Sequence, residues 1–201
     1  QKAEKAVQPD DAYLLMYTSG STSTSKGVLL THASCARKPI ALAERLGLGP
    51  EDRFYTAMPL CHAAGLFSGW WLAVAVGGPF FTHSRFSPEG ALDTFSRERI
   101  TVERSFPTLV SDQLDLLDEN PDGYDLSRLR TGLASSLSPD IFERLESRIG
   151  PHQYVNNYGL TEAAGVVCLS RPGDPPGIRW RKMGLPLEGM EVKGVHPDTG
   201  Q

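Results

Sequence analysis

Short apolar runs alternate with longer amphipathic segments along the chain, which predicts alternating strands and helices. The predicted strands are Tyr13–Met16, Val28–Thr31, Arg53–Met58, Pro79–Thr82, Ile100–Val102, Leu129–Gly132, Tyr154–Asn157, Val166–Leu169 and Glu191–Val195. The predicted helices are Thr31/His32–Leu46, Ala63–Val76, Ser87–Arg97, Pro107–Leu117 and one that opens at Ser138-Pro139. Because strands that alternate with helices are joined by crossovers, the fold class is α/β, with a largely parallel sheet and flanking helices.

Several positions set the predicted ends of these elements. Thr31 and Ser87 have the hydroxyl side chains that cap helices, and a proline inside the first helix, Pro39, should kink it or start a second segment. Residues 171–186 are rich in Pro, Gly and Arg and are predicted to form a loop. Residues 197–200, Pro-Asp-Thr-Gly, are typical of a turn, and such a turn normally leads into another strand. We therefore expect residues 1–201 to be one partial domain of a longer protein.

Composition and charge narrow the classes of protein. The 201 residues are 40% hydrophobic and 22% charged, as in ordinary globular domains. The net charge of −4, with interspersed signs, gives no basic surface, so we expect no nucleic-acid partner. The apolar stretch 65–81 is interrupted by Gly77-Gly78-Pro79 and is too short for a transmembrane segment.

The cysteines argue against a disulfide or zinc framework. Cys35, Cys61 and Cys168 are odd in number and widely spaced, and no C-x-x-C pair occurs. We expect three reduced, buried thiols and a cytoplasmic location. The histidines also lack the spacing of zinc ligands.

The segment 17–28 places hydroxyl side chains, a glycine and Lys26 between two strand-like runs. Such a loop offers backbone N–H groups, hydroxyl donors and a cation, which together suit a polyphosphate. A Walker loop would need glycine at Ser25 and a hydroxyl residue at Gly27, so it does not fit. A flexible Ser/Thr-rich linker is the remaining alternative, and the apolar flanks argue against it.

A second polar segment, Asn156 to Glu162, follows a predicted strand. At the carboxyl end of a parallel strand a ligand is expected. Tyr158 could stack on a base, Thr161 could donate to a phosphate, and Glu162 could bind Mg²⁺. Taken alone, the segment is equally consistent with a helix start that Thr161 caps.

These segments resemble signatures of the adenylate-forming enzymes, the superfamily of acyl- and aryl-CoA ligases, luciferases and peptide-synthetase adenylation domains. Residues 15–26 resemble its phosphate loop, and Tyr158–Glu162 its Y-G-x-T-E motif. Residues 130–139 resemble its adenine-facing turn, and residues 59–66 the turn that borders its acyl pocket. The chain departs from the usual residues at Ser23, Ser25, Leu133 and Ser136.

The resemblance implies a role for each matching position. It assigns the β- and γ-phosphates of ATP to the loop residues Thr18, Ser19, Gly20, Ser21, Thr22, Ser23 and Lys26. It places the adenine beside Gly132, Leu133 and Ala134, with the ring stacked on Tyr158, and it adds Asn157 and Gly159 to the nucleotide-binding residues. Thr161 would contact the α-phosphate, and Glu162, with Thr22, would bind Mg²⁺.

The implied reaction joins a carboxylate to the α-phosphorus of ATP, releases pyrophosphate, and transfers the acyl group to a thiol. The implied partners are ATP, Mg²⁺, a carboxylic acid, and coenzyme A or the pantetheine of a carrier protein. His62 is a candidate catalytic residue, and a purely structural histidine is the alternative. Because residues 61–64 supply no carboxylate for a substrate ammonium, we expect an uncharged acyl or aryl tail.

The superfamily's ribose-binding Thr-Gly-Asp segment and its lysine-bearing C-terminal domain do not follow Gly200. We therefore expect this chain alone to have impaired activity or none. Three hypotheses remain: a fragment of a carboxylate–CoA ligase, a fragment of an adenylation domain that loads a carrier protein, and a non-catalytic nucleotide-binding module.

Overall fold

The computed structural model describes residues 6–18, 24–149 and 153–200. Its strands are β1 Ala12–Thr18, β2 Lys26–Thr31, β3 Phe54–Thr56, β4 Phe80–Phe81, β5 Val102–Ser105, β6 Thr131–Ala134, β7 Gln153–Leu160, β8 Gly165–Leu169 and β9 Leu185–Pro186. Its α-helices are α1 His32–Leu46, α2 Ala63–Gly65, α3 Trp71–Val76, α4 Pro88–Glu98, α5 Pro107–Glu119, α6 Pro139–Ile149 and α7 Pro176–Arg181.

Within the described residues, seven strands form one sheet in the order β4-β3-β5-β6-β7-β8-β9. The first five are parallel to one another, and β8 and β9 are antiparallel to their neighbours. This confirms the predicted α/β class with a largely parallel sheet. The register pairs Arg104 of β5 with Leu133 of β6, and Leu133 with Val155 of β7.

Each face of the sheet is covered by helices. On one face, a cluster of apolar side chains joins α4, α5 and α6 to the sheet through residues such as Phe95, Leu114 and Phe142. On the other face, α1 and α3 pack through Leu42 and Leu72. The sheet is thus buried between two helical layers, as parallel sheets usually are.

The strands β1 and β2 form a separate antiparallel hairpin. The strand predicted at Tyr13–Met16 is confirmed by β1, but Tyr13 is 41% and Leu15 51% exposed, so only part of this strand is buried. Met16 and Leu30 are the buried members, and they pack with Phe67. The hairpin is therefore held on one face, which is why its apolar residues do not all reach a core.

The predicted helix starts are confirmed at two caps. The Thr31 hydroxyl accepts from the Ser34 N–H (3.2 Å), and the Ser87 hydroxyl accepts from the Gly90 N–H (3.0 Å). Helix α1 continues through Pro39 without a second start. The predicted helix 63–76 contains a π-helical turn, Leu66–Trp70, between α2 and α3.

Three predictions are wrong. Residues 171–186 are not all loop, because Arg179 of α7 is buried and donates to the carbonyls of Tyr154 (3.0 Å) and Asp174 (2.9 Å), which fixes a helical turn. Residues 191–195 were predicted to be a strand, but they form none and belong to neither of the sheets in the described residues. Cys61 is exposed, whereas the other two cysteines are buried. No helix in the described ranges is long and apolar enough to cross a membrane.

Candidate functional site

A pocket of about 460 Å³ opens at the carboxyl ends of β5, β6 and β7. Six of the residues predicted from the sequence line it: Thr18, His62, Asn157, Gly159, Thr161 and Glu162. They come from three distant parts of the chain, the end of β1, the start of α2 and the end of β7. The parallel strands thus gather them at the edge where an α/β sheet binds its ligands.

The turn after β7 presents Thr161 and Glu162 on a single 3₁₀ turn, Thr161–Ala163. Leu160 occupies the cap position without a side-chain hydrogen bond, so Thr161 does not cap a helix. The turn ends with Ala164 at φ 53° and Gly165 at φ 97°, a reversal that returns the chain into β8.

A close approach of two glycines fixes this reversal. A Cβ added to Gly159 would lie 2.4 Å from the Gly165 carbonyl oxygen, far inside normal contact. Only glycine fits at position 159, because β7 and β8 come together there. The turn is thus built on backbone packing.

His62 has a structural role and also lines the pocket. Its Nδ1 accepts from the Ala64 N–H (3.2 Å), which caps α2. The ring lies edge-on to Phe106, with centroids 5.8 Å apart. Because Nδ1 is an acceptor, the ring proton is on Nε2, and that N–H is a donor available for a ligand.

Arg104, Ser135 and Asn157 form a hydrogen-bonded chain along one pocket wall. Arg104 Nη2 donates to Ser135 Oγ (3.2 Å), and Ser135 Oγ donates to Asn157 Oδ1 (2.9 Å). Arg104 Nη1 donates to the carbonyls of Ser105 (2.8 Å) and Leu133 (2.9 Å). The guanidinium is thus held in one orientation at the ends of β5 and β6.

Arg104 is only 3% exposed. Burial lowers the pKa of its guanidinium to about 10, partly offset by the neighbouring Glu103, so the group is still a cation at neutral pH. Successive strand residues point to opposite faces, and the Glu103 carboxylate accepts from Tyr154 and from Gln113 (3.0 Å) on the far side. Burial raises the pKa of Glu103, against the hydrogen bonds that it accepts.

Other predicted residues lie apart from the pocket or outside the described ranges. Tyr158 is 48% exposed beside the pocket, and Lys26 is exposed at the start of β2. Leu133 and Ala134 are fully buried in the core, and a Cβ on Gly132 would meet the Tyr154 ring at 2.3 Å, so a ligand could reach these three only through backbone atoms. The predicted loop residues Ser19, Gly20, Ser21, Thr22 and Ser23 lie outside the described residues.

The described residues contain no group of three or more His, Cys, Asp or Glu side chains placed to hold a metal. Mg²⁺ is commonly bound by one or two carboxylates together with substrate phosphates. Glu162 is exposed and lines the pocket, so its carboxylate suits a metal ion of that kind.

Comparison with known proteins bears on the whole chain. A family model described as AMP-binding enzyme matches residues 1–201. The chain belongs to the AMP-binding enzyme family.

Relatives of this AMP-binding chain include CoA ligases. It is 36% identical over 165 residues to a feruloyl-CoA synthase of an Amycolatopsis species, covering 81% of this chain and 33% of that protein. It is 32% identical to 4-coumarate–CoA ligase 2 of Oryza sativa subsp. japonica, covering 98% and 36%. A crystal structure of the anthranilate CoA ligase AuaEII in complex with anthranoyl-AMP superposes with a TM-score of 0.85 at 26% identity, covering 96% and 37%. The chain thus spans about a third of the length of these relatives.

Four pocket residues of this AMP-binding chain were missed by the sequence analysis: Ser68, Arg104, Phe106 and Ser135. For Arg104 a signal existed, since two charged residues, Glu103 and Arg104, directly follow the predicted strand Ile100–Val102. Charged residues are rarely buried without a reason. Ser135 lies in the segment 130–139 that resembles the adenine-facing turn, but it was not singled out there. Ser68 carries no local signal, because only tertiary packing brings it to the pocket.

Proposed function

We propose that the protein activates a carboxylic acid with ATP, forming an acyl adenylate, and transfers the acyl group to the thiol of coenzyme A. One observation carries the proposal: the Thr161–Glu162 turn, His62 and the end of the phosphate-loop strand, Thr18, line a single pocket. Membership of the AMP-binding family supports it, as do the CoA-ligase names of the relatives. Those names favour coenzyme A over a carrier protein as acceptor.

In the first step an oxygen of the substrate carboxylate attacks the α-phosphorus of ATP. A P–O bond forms, the bond to the β-phosphate oxygen breaks, and pyrophosphate leaves with the electron pair. In the second step the thiolate sulfur attacks the acyl carbon, the C–O bond to AMP breaks, and AMP leaves. Neither step needs a covalent enzyme intermediate, so positioning and charge stabilisation supply the catalysis.

The residues of this chain divide that work. The Thr161 hydroxyl donates to an α-phosphate oxygen, where negative charge builds up, and His62 Nε2–H orients the substrate carboxylate. Thr18 and Lys26, with Ser19 to Ser23, contact the β- and γ-phosphates, and Tyr158 stacks on the adenine beside Gly132 to Ala134. Glu162 would hold Mg²⁺, with Thr22, and the ion would neutralise phosphate charge.

The proposal is tested by ATP–pyrophosphate exchange on the full-length protein with a panel of carboxylic acids. Thr161→Val should lower the exchange rate about 100-fold, because a donor to the transition-state charge is lost. Thr82→Val is the matched control, since Thr82 is exposed just after β4 and no residue within ten positions of it lines the pocket. If no acid supports exchange, the ligase function is wrong; if Thr161→Val keeps full activity, only the role of Thr161 is wrong.

A further inference from the structure

Two of the pocket's buried hydrogen-bond donors have no partner. In the described part of the chain, three buried side-chain N or O atoms lack a hydrogen bond: Arg104 Nε, Asn157 Nδ2 and Trp180 Nε1. Two of these belong to residues that line the same pocket. Buried donors without acceptors are rare because they lose their water and gain nothing in return. Two in one pocket indicate that a ligand supplies the missing acceptor.

The orientation of the Asn157 amide follows from its neighbour. The Ser135 hydroxyl accepts from Arg104, so its own hydrogen is free to donate to Asn157 Oδ1. The amide oxygen must therefore face Ser135, and the amide NH₂ faces away from it. The three side chains thus form a connected unit with two unpartnered N–H donors, Arg104 Nε and Asn157 Nδ2.

The Arg104 cation on this wall has no direct ion-pair partner. Among the described residues Arg104 forms no ion pair, and its hydrogen bonds go to neutral carbonyls and a hydroxyl. Glu103 is held on the opposite face of the sheet by Gln113 and Tyr154. A buried cation of this kind is stabilised best by an anionic group with oxygen acceptors.

This wall is separate from the turn that carries the reactive groups. Arg104 lies in β5 and Ser135 follows β6, whereas Thr161 and Glu162 lie on the turn after β7. Small or apolar residues, Ala63, Ala64 and Val166, also line the pocket. An acid whose carboxyl lies at the Thr161 turn would direct its tail past these residues towards Arg104.

We propose that the substrate acid carries a second oxygen group at its distal end, with a carboxylate bound best and a hydroxyl or carbonyl less well, and that Arg104 Nε and Asn157 Nδ2 donate to it. This inference rests on the proposed function and names its substrate class. The absence of a carboxylate beside His62 argues against a substrate ammonium, and it does not exclude an anion.

The test compares acids that differ only in the distal group, in the full-length protein. The pairs are hexanoate with hexanedioate, and benzoate with 4-hydroxybenzoate and benzene-1,4-dicarboxylate. The kcat/KM of ATP–pyrophosphate exchange and the Kd from calorimetry with AMP present are both measured. We expect the oxygen-bearing acid of at least one series to exceed its plain partner tenfold or more in both.

Asn157→Asp is the decisive variant, since it keeps the shape and the bond from Ser135 but replaces the donor with an oxygen. It should reduce the preference for the dicarboxylate over the plain acid at least tenfold. Asn120→Asp makes the same change at an exposed helix end and should leave the preference intact. Arg104→Met should also abolish the preference. If the Arg104→Met protein does not fold, the result for Asn157→Asp alone tests the inference.

The outcomes separate the two proposals. If plain acids give the same kcat/KM of ATP–pyrophosphate exchange as their oxygen-bearing partners, this inference is wrong and the proposed ligase function is unaffected. No exchange with any acid would overturn the ligase function, and the calorimetric preference would still decide the inference. A tenfold preference that Asn157→Asp leaves unchanged would show that another residue binds the distal group.

Discussion

The two ends of the parallel sheet carry similar polar residues, but the protein supplies all their hydrogen-bond partners at one end and not at the other. Before β3, β5 and β6, the Asp52 carboxylate accepts from Arg130 Nε (2.8 Å) and Nη2 (2.6 Å), from Thr101 Oγ1 (2.7 Å) and from the Gly49 N–H (3.0 Å). Towards the other end of the sheet, Arg104 in β5 and Asn157 in β7 retain donors without partners. The complete network is structural, whereas the incomplete one leaves donors for the ligand proposed above.

This contrast shows how a buried charge can be interpreted. Asp52 is 1% exposed, so burial alone would indicate a ligand site there as strongly as it does at Arg104. What separates them is whether the protein itself supplies every partner. Paired and saturated charges need no ligand, and an unsaturated buried cation does.

The largest expected effect breaks the saturated end. Asp52→Ala should lower the free energy of unfolding by about 3 kcal/mol, because Arg130, Thr101 and Gly49 lose their common acceptor. Chemical denaturation of the full-length protein measures it. Asp122→Ala, at an exposed turn, should change the same free energy by less than about 0.5 kcal/mol. A loss below about 1 kcal/mol for Asp52→Ala would contradict a structural role for the network.

In the pocket at the other end of the sheet, Glu162→Gln should lower the rate of ATP–pyrophosphate exchange about 100-fold, because the proposed Mg²⁺ ligand loses its charge. This loss equals about 2.7 kcal/mol of transition-state stabilisation. Its free energy of unfolding should stay within about 0.5 kcal/mol of the parent, because the side chain is exposed. Glu143→Gln, also exposed, is the matched control on α6. Equal losses of stability and of activity would mean that the turn is a structural element after all.

Ser135→Ala sharpens the comparison with a smaller effect. It removes the hydroxyl that joins Arg104 to Asn157, so the amide is no longer held in one orientation. We expect kcat/KM for the best acid to fall about fivefold, equivalent to about 1 kcal/mol, with most of the change in KM. A change confined to kcat would indicate that Ser135 acts on the reacting atoms instead of on the bound tail.

The smallest effect concerns pH. Burial opposes the ionisation of Asp52, but hydrogen bonds from Arg130, Thr101 and Gly49 outweigh it and hold its pKa below the usual value. A lowered folded pKa contributes stability above the unfolded pKa, and this contribution disappears as the pH falls through the folded value. The stability advantage of the parent over Asp52→Asn should therefore be constant near neutral pH and shrink below about pH 4. An advantage that grows on acidification would reverse the sign of the shift.

Much of the fold follows from local signals in the sequence. Thr31 and Ser87 indicate where two helices begin, and the alternation of strands and helices predicts the largely parallel sheet. The prediction of a strand at 191–195 is wrong. Alternating polarity indicates which face of a strand would be buried, but a strand also needs a second strand to share its backbone hydrogen bonds. Tertiary packing, which a single sequence does not show, decides whether that second strand exists.

The site divides in the same way. Thr161, Glu162 and His62 lie in short segments of recognisable sequence. The sequence therefore predicted each of them as a site residue, and all three line the pocket. Ser135 reaches Arg104 because the register pairs β5 with β6, across 31 positions of the chain. Long-range register of this kind is set by the sheet as a whole, so the donor-lined wall could not be derived from local pattern.

The contact of Gly159 with the backbone of Gly165 has a consequence for how such a protein can diverge. Any side chain at 159 would displace β8 and with it the reactive turn, so this part of the chain tolerates little change. Positions 104, 106, 135 and 157 meet the pocket through side chains, and they can vary while the backbone stays in place. If the proposed function is correct, gene duplicates could bind new acids after single substitutions at these positions, while the backbone of the turn stays unchanged.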